Sequence, residues 1–294
     1  MNVSIQPAIA EDFDELAEIQ KQAFKRLYEI YKDEGSPYLR GAEELILWSE
    51  HPNWRVYKII VDKALRGGIA FCERIDMPGV YYLARVYILP EYQSKGIAST
   101  AIQLCENTIY NATLWKLDYP ADQIANRRCY EKAGYTDTGE LYEQSNGAIT
   151  LAYMEKAVPP FRDVKDHLDN NEIQKVLALC VFDSSPEGMS KSIAAYKERN
   201  SRQFYGWVEN GEMLGICGFE VHSDFVEILH VAVSEKAQRH GIGGKIINEL
   251  MQKYGMSIEA ETDDDAVGFY RKCGFNTTAF QKHSVRRWTC VLSV

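Results

Sequence analysis

The chain has 294 residues, of which 46% are hydrophobic and 26% charged, and a formal net charge of −9. That length is generous for one core and comfortable for two domains, the composition is ordinary for a globular protein, and the acidic balance argues against nucleic acid as the main partner, because phosphate binding needs a basic face. No apolar run approaches the roughly 20 residues of a membrane span, residues 1–10 lack the basic-then-apolar pattern of a signal peptide, and seven scattered cysteines with no CxxC pair suit a reducing, cytoplasmic setting.

Residues 3–9 alternate apolar and polar and predict a first strand. Glu11-Asp12-Phe13-Asp14 opens a helix with acids in its first turn, and Leu16, Ile19, Ala23, Phe24 and Leu27 continue it at helical spacing. A second helix is expected over 43–49, after the Gly35-Ser36-Pro37 break. The two helices offer Tyr28, Tyr31, Tyr38 and Trp48, as half-buried packing or as part of a binding wall. Strands are expected over 55–61 and 68–75, around a charged turn at Asp62-Lys63, and over 80–89. Val86-Tyr87-Ile88 ends the third of these before Pro90, and Gln93-Ser94-Lys95-Gly96-Ile97-Ala98-Ser99 forms a small-residue turn into a helical run over 100–109. A strand feeding a glycine turn and then a helix leaves unpaired N–H donors at the positive end of a helix dipole, which is a phosphate site. Gly96 lets the backbone approach an anion closely, and Lys95 adds a cation. A strand over 113–117, a helix over 126–133 capped by Gly134 and a closing strand over 149–154 complete this half.

Ala157-Val158-Pro159-Pro160 is a stiff break. Beyond it the plan returns: helices over 171–181 and 189–199, a hairpin of 204–208 and 214–221 around Asn210-Gly211, a strand over 226–233, a helix over 244–254, a strand over 256–261 and a helix over 266–273 before Gly274. The strand-to-turn stretch returns as Val231-Ala232-Val233 followed by Gln238-Arg239-His240-Gly241-Ile242-Gly243-Gly244. Each glutamine stands three residues before its glycine, and Ile88 and Val233 stand eight before theirs. Gly68-Ile69-Ala70-Phe71-Cys72-Glu73 lines up with Gly215-Ile216-Cys217-Gly218-Phe219-Glu220, and the tract from Tyr130 to Tyr135 with that from Tyr270 to Phe275. The chain therefore reads as a tandem duplication, each half a mixed α/β sheet. No metal-ligand spacing appears, and Asp263-Asp264-Asp265 is explained by helix capping.

The two loops, Gln93-Ser94-Lys95-Gly96-Ile97-Ala98 and Gln238-Arg239-His240-Gly241-Ile242-Gly243, resemble the Q-x-x-G-x-A/G pyrophosphate loop of the GCN5-related N-acetyltransferase (GNAT) superfamily. The resemblance implies two tandem GNAT-like domains, here 1–157 and 161–294, with acetyl-CoA as donor and an amine of a small molecule or protein as acceptor. It implies that the pantetheine adds beside Val86, Tyr87 and Ile88, and beside Val231, Ala232 and Val233, and that Asn126 contacts it where the second half has Ala266. His240 then lies beside phosphate, while His230 reads as a strand residue. The family's tyrosine acid, which protonates the leaving thiolate, corresponds to Tyr130 and Tyr270. Glu227, six residues before Val233, resembles the family's glutamate base, with Glu73 and Glu220 as alternatives; Tyr82 stands at the first half's equivalent position. A regulatory protein that binds acetyl-CoA with one or both halves silent, and a transferase of longer acyl groups, stay open at this level. So do the acceptor and the oligomeric state.

Overall fold

Each half of the chain folds around one seven-stranded sheet. The computed structural model describes residues 1–144 and 147–294 and separates into two units, Met1–Val158 and Pro159–Val294. In the first unit the elements run β1 (Val3–Pro7), α1 (Phe13–Tyr31), α2 (Ala42–Glu50), β2 (Trp54–Val61), β3 (Ala64–Glu73), β4 (Val80–Ile88), α3 (Ile97–Glu106), β5 (Leu114–Pro120), α4 (Ile124–Ala133), β6 (Thr136–Gln144) and β7 (Ile149–Ala157). The sheet order is β1-β2-β3-β4-β5-β7-β6. Every pairing is antiparallel except β4 with β5. That pair is parallel because a helix, α3, makes the crossover between them.

The second unit repeats the scheme with β8 (Phe161–Asp163), α5 (Asn171–Leu177), α6 (Pro186–Glu198), β9 (Arg202–Glu209), β10 (Glu212–Val221), β11 (Phe225–Val233), α7 (Ile242–Tyr254), β12 (Ser257–Thr262), α8 (Val267–Lys272), β13 (Asn276–Lys282) and β14 (Val285–Leu292). Its order is β13-β14-β12-β11-β10-β9-β8, again with one parallel pair, β11 with β12.

Helices cover both faces of the first sheet. On one face Ile69, Phe71, Leu83, Trp115 and Leu117 pack with Ile97, Ala101 and Ile102 of α3 and Ala133 of α4. On the other, Leu16 and Ile19 of α1 and Leu45 of α2 pack on Val56, Ala70 and Tyr87. Leu16 and Leu45 are fully buried, each worth about 1.5–3 kcal/mol by the usual area accounting. This second face also buries charge. Arg85 of β4 bonds Glu44 at 2.5 Å and Gln20 at 2.9 Å, its guanidinium lies 4.5 Å from the Trp48 ring, and Gln20 in turn donates to the Pro37 carbonyl. The network ties α1, α2 and the chain between them to the strand that enters the glycine loop.

Several expectations need correction. The strand expected over 3–9 stops at Pro7. The one-turn helix Ala10–Asp12 begins soon after, with the Ile9 N–H on the Asp12 carboxylate at 2.9 Å. β6 and β13 escape periodicity because their residues are mostly exposed, so no apolar face marks them; β14, partly buried, was also not expected. β6 also carries a register shift between Asp137 and Leu141 with Gly139 at φ 77°, which breaks alternation. β7 is therefore an inner strand between β5 and β6.

The internal repeat also slips by one residue on β3. Ile88 pairs with Gly67, whereas its counterpart Val233 pairs with Gly215. Gly67, not Gly68, is thus the counterpart of Gly215 in the repeat. Because strand side chains alternate, that slip turns every assignment to the other face. Cys72, opposite Tyr82, is the true counterpart of Glu220, opposite Glu227. Glu73 and Glu220 are not equivalent.

The Arg85 side chain is 9% exposed and that of Glu44 24%. Removing one member of such a pair strands the other, so Glu44→Ala is expected to cost about 3 kcal/mol. Urea denaturation followed by circular dichroism would show it as a lowered midpoint at unchanged slope.

Candidate active site

β4 and β5 pair only from Val80–Leu114 to Tyr82–Lys116. Ala84, a bulge residue, has no register partner on β3. A bulge bends and twists its strand, and here the two strands part beyond it. β11 and β12 do the same: their last pair is Ile228–Ala260, and Leu229 is the unmatched residue.

Beyond each parting lies a glycine loop of one shape. Leu89 and Ser234 follow the strand ends, each leading into a single 3-10 turn. Gln93 then turns back, its Nε2 donating to the Ile88 carbonyl at 2.9 Å, and Gln238 does so to Val233 at 3.2 Å. Ser94 and Gly96 have φ 59° and 80°, and Arg239 and Gly241 have φ 65° and 81°. Left-handed residues interleaved with ordinary ones curl successive N–H groups into an anion-binding concavity. A non-glycine residue there costs about 1–3 kcal/mol, so its recurrence at one loop position marks a shape held for a purpose. Gly96 and Gly241 are the N-caps of α3 and α7, and neither helix start has a side-chain cap. Their first N–H groups stay available to a ligand. Ile97 and Ile242 anchor the loops by burial in the cores.

In the first unit the parting and the loop form one continuous cleft of about 840 Å³. Ala84, Val86 and Ile88 line it from β4, Gly96, Ile97, Ala98 and Ser99 from the loop and α3, Asp118 from β5, Asn126, Tyr130 and Lys132 from α4, and Tyr31 from α1. Tyr87 and Gln93 also reach it. Lys95 does not line it; its ammonium sits 5.0 Å from the Tyr92 ring centroid. The cation at the loop is Lys132, whose Nζ would stand 3.2 Å from a Cβ placed on Gly96. Lys132 escaped sequence reasoning because its approach depends on α4 packing beside α3. The Ser99 and Thr100 hydroxyls donate to the Gly96 carbonyl at 2.9 and 3.1 Å. Burial, with Cys129 and Asp118 nearby, pushes the Tyr130 hydroxyl well above its ordinary value, so it stays protonated at neutral pH, as a proton donor must.

Of Tyr28, Tyr31, Tyr38 and Trp48, Tyr31 alone lines the cleft, together with Phe24 of the same helix. Its hydroxyl, pushed up to about 12 by burial and by its bond to Asp122, also accepts from Gln123 at 2.8 Å. Tyr28 stacks on Tyr38 and Trp48 on Trp54.

The second unit differs around the same skeleton. Nothing lies within 4 Å of a Cβ placed on Gly241, but one on Gly243 would stand 2.6 Å from the Phe269 ring. Tyr270 is 5% exposed, enclosed by Phe269 and Phe275 at 5.1 and 5.2 Å, and burial raises its hydroxyl as well. Glu227 lies opposite Glu220 and Glu259 on the flanking strands, and its carboxylate is 3.3 Å from His222 Nε2. Glu220 is held by Ser201 and Arg202. In the first unit Glu73 accepts from the Gly79 N–H at 3.0 Å. Where β4 has Arg85, β11 has His230, with Nδ1 2.6 Å from the Tyr196 hydroxyl. Among the described residues no three His, Cys, Asp or Glu side chains cluster as metal ligands, and no helix is long and apolar enough to cross a membrane.

A family model described as acetyltransferase (GNAT) family matches residues 24–135 and again 170–275. A curated protein described as an uncharacterized N-acetyltransferase in the lysA 3′ region of Bacillus methanolicus is 26% identical over 86 residues, 29% of this chain and 71% of that protein. Among solved structures, the chain is similar to PaiA N-acetyltransferase from Thermoplasma acidophilum in complex with coenzyme A, at 20% identity and a TM-score of 0.43 over 54% of this chain and 100% of that one. It is also similar to spermidine N-acetyltransferase from Vibrio cholerae in complex with CoA and spermine, at 20% identity and a TM-score of 0.44 over 53% of this chain and 95% of that one.

Burial, with a smaller push from Arg202, holds His230 below its ordinary value. Below about pH 6.5 the unfolded chain binds a proton that the folded chain resists, so stability falls as pH falls through that region. His230→Gln removes the proton site and keeps an acceptor for Tyr196. The drop in unfolding temperature between about pH 7.5 and about pH 5.5 should therefore be smaller in the variant, as calorimetric scans of the two proteins would show.

Proposed function

The chain belongs to the acetyltransferase (GNAT) family, and from that premise we propose that its N-terminal unit moves the acetyl group of acetyl-CoA to an amine of a small molecule or protein. The enzyme is an acyltransferase. The observation that carries this reading is the single cleft joining the parted strands to the uncapped loop, with Tyr130 in its wall.

The residues fit the donor. Its diphosphate is assigned to the N–H groups that follow Ser94 and Gly96, with the Lys132 ammonium beside them. The pantetheine amides are assigned to the edge of β4 at Val86, Tyr87 and Ile88, which β5 leaves unpaired, as an extra strand would pair. Asn126 flanks that course. At the bulge around Ala84 the thioester carbonyl meets backbone that has lost its strand partner. Donors fixed there before reaction stabilise the developing oxyanion without reorganisation. The amine attacks the carbonyl carbon, the carbon–sulfur bond breaks, and the leaving thiolate takes the Tyr130 proton.

The loop around Gly241 supports a second donor site, with Val231, Ala232 and Val233 as the strand edge and Glu227 and Tyr270 as base and acid. One observation favours a different role for that unit: the Phe269 ring of α8 packs against Gly243 in the first turn of α7, just past the loop that would take the diphosphate.

Calorimetry with acetyl-CoA tests the donor assignment. Gly96→Val is expected to abolish binding in the N-terminal unit, since φ is 80° there and Lys132 is close; Gly241→Val tests the C-terminal loop, with φ 81°. If both variants bind like the parent chain, the loops are not donor sites. Tyr130→Phe should lower kcat by about 100-fold, the scale of one lost general acid, with acetyl-CoA affinity kept. An unchanged kcat would remove Tyr130 from the reaction.

A further inference from the structure

Two carboxylates line the first cleft: Asp33, which accepts from the Gly35 N–H at 2.9 Å, and Asp118, which has no role so far. Asp118 stands on β5 two residues beyond the last β4–β5 pair, where the strands part, and it lines the cleft. Burial raises its carboxyl above the ordinary value, and the opposing influence is the hydrogen bond from the Tyr82 hydroxyl. Tyr153 pairs with it across β7, and Tyr130 faces it from α4 closely enough for the carboxylate to raise that hydroxyl. Along its own strand, Lys116 is directed to Glu155, at 4.0 Å. Among the described residues Asp118 has no cationic partner within ion-pair distance.

The second unit supplies the contrast. Tyr82 pairs with Lys116 as Glu227 pairs with Glu259, so Glu261 is the counterpart of Asp118. Glu261 is saturated: Lys282 reaches it at 2.8 Å and Arg287 at 3.0 Å, and its carboxyl is held below the usual range, first by Lys282. The same backbone position thus holds a neutralised carboxylate in one unit and an uncompensated one in a cleft in the other. A buried carboxylate without a counter-ion is costly. A cation entering the cleft removes that cost.

We propose that Asp118 is the group that receives the acceptor, binding it as a primary ammonium and taking its proton. This rests on the reading of the first cleft as an acetyl-transfer site and adds the residue that meets the acceptor's ammonium. One ammonium proton passes to Asp118 and on to solvent. The freed nitrogen attacks the thioester carbonyl, the carbon–nitrogen bond forms, and the carbon–sulfur bond breaks. The sulfur takes the Tyr130 proton, and the surplus proton on the new amide nitrogen returns to the Tyr130 oxygen. Tyr82 positions the carboxylate, and its hydrogen bond favours the ionised form against burial.

The test uses the full chain with acetyl-CoA and n-butylamine, reading thiol release from about pH 6 to about pH 9.5 alongside calorimetric affinity for acetyl-CoA. Asp118→Asn is expected to keep acetyl-CoA affinity and lose about 100-fold in kcat/KM at neutral pH. The deficit should shrink as pH rises and free amine becomes abundant. Tyr82→Phe keeps the carboxylate but removes the bond that lowers its pKa, so the acidic limb of the profile should move to higher pH, which a purely structural role would not produce. Glu261→Gln should leave the n-butylamine rate unchanged. Equal rates for Asp118→Asn and the parent chain, or no n-butylamine-dependent thiol release from a chain that binds acetyl-CoA, would overturn the proposal and leave the donor assignment standing. A chain that binds no acetyl-CoA would instead overturn the reading on which the proposal rests.

Discussion

The site depends on an unfinished sheet. Two parallel neighbours ordinarily continue pairing to their ends, because every buried N–H and C=O needs a partner. Here β4 and β5 separate after three paired positions, β11 and β12 after four, and a bulge residue on each leading strand has lost its partner on the other side as well. The backbone from the bulge to the loop is left with donors and acceptors that water or a ligand must satisfy. The helix following each strand adds uncapped N–H groups at the far end of the same run. A long molecule with an anionic end and an amide-bearing arm matches both demands at once, which is why fold and donor are hard to separate in this architecture.

The two units keep this backbone device and differ in the side chains around it. Position by position, Arg85 corresponds to His230, Tyr82 to Glu227 and Asp118 to Glu261. On one β4 position the first unit fixes its early helices with a guanidinium held by Glu44 and Gln20. The second fixes α6 with a neutral imidazole held by Tyr196. Each solution satisfies a buried polar group, but they set different walls against the parted strands. The shared fold therefore does not imply shared chemistry.

What was legible in the sequence was what few side chains can do. The loops were readable because a left-handed turn before a helix favours glycine and because each glutamine must stand at one distance to reach back to the strand it left. Tyr130, four residues before Gly134, was pointed to by the family resemblance, and it does line the cleft. Lys132 was not, since nothing in its neighbourhood distinguishes it from other helix-end lysines; only the packing of α4 on α3 brings it to Gly96. β6 and β13 were invisible because a mostly exposed strand has no apolar face. The β3 alignment slipped because Gly67 and Gly68 are adjacent, and only the partners of Ile88 and Val233 tell which glycine corresponds to Gly215.

The base was the least legible part, and the reason is electrostatic. A glutamate at Glu227 looks like a base by position, and a tyrosine at Tyr82 looks like the lack of one. Position alone omits what neutralises each carboxylate. Glu220 is answered by Arg202 and Glu261 by Lys282 and Arg287, whereas among the described residues Asp118 is answered by the neutral hydroxyl of Tyr82 and by no cation. A hydroxyl supplies a hydrogen bond but no charge, so it orients the carboxylate without satisfying it electrostatically. Tyr82 therefore holds the carboxylate in place and leaves the positive charge to be brought by whatever the cleft admits. On the proposed reading, a tyrosine on β4 where the second unit has a glutamate goes with a carboxylate on β5 as the proton acceptor of the first cleft.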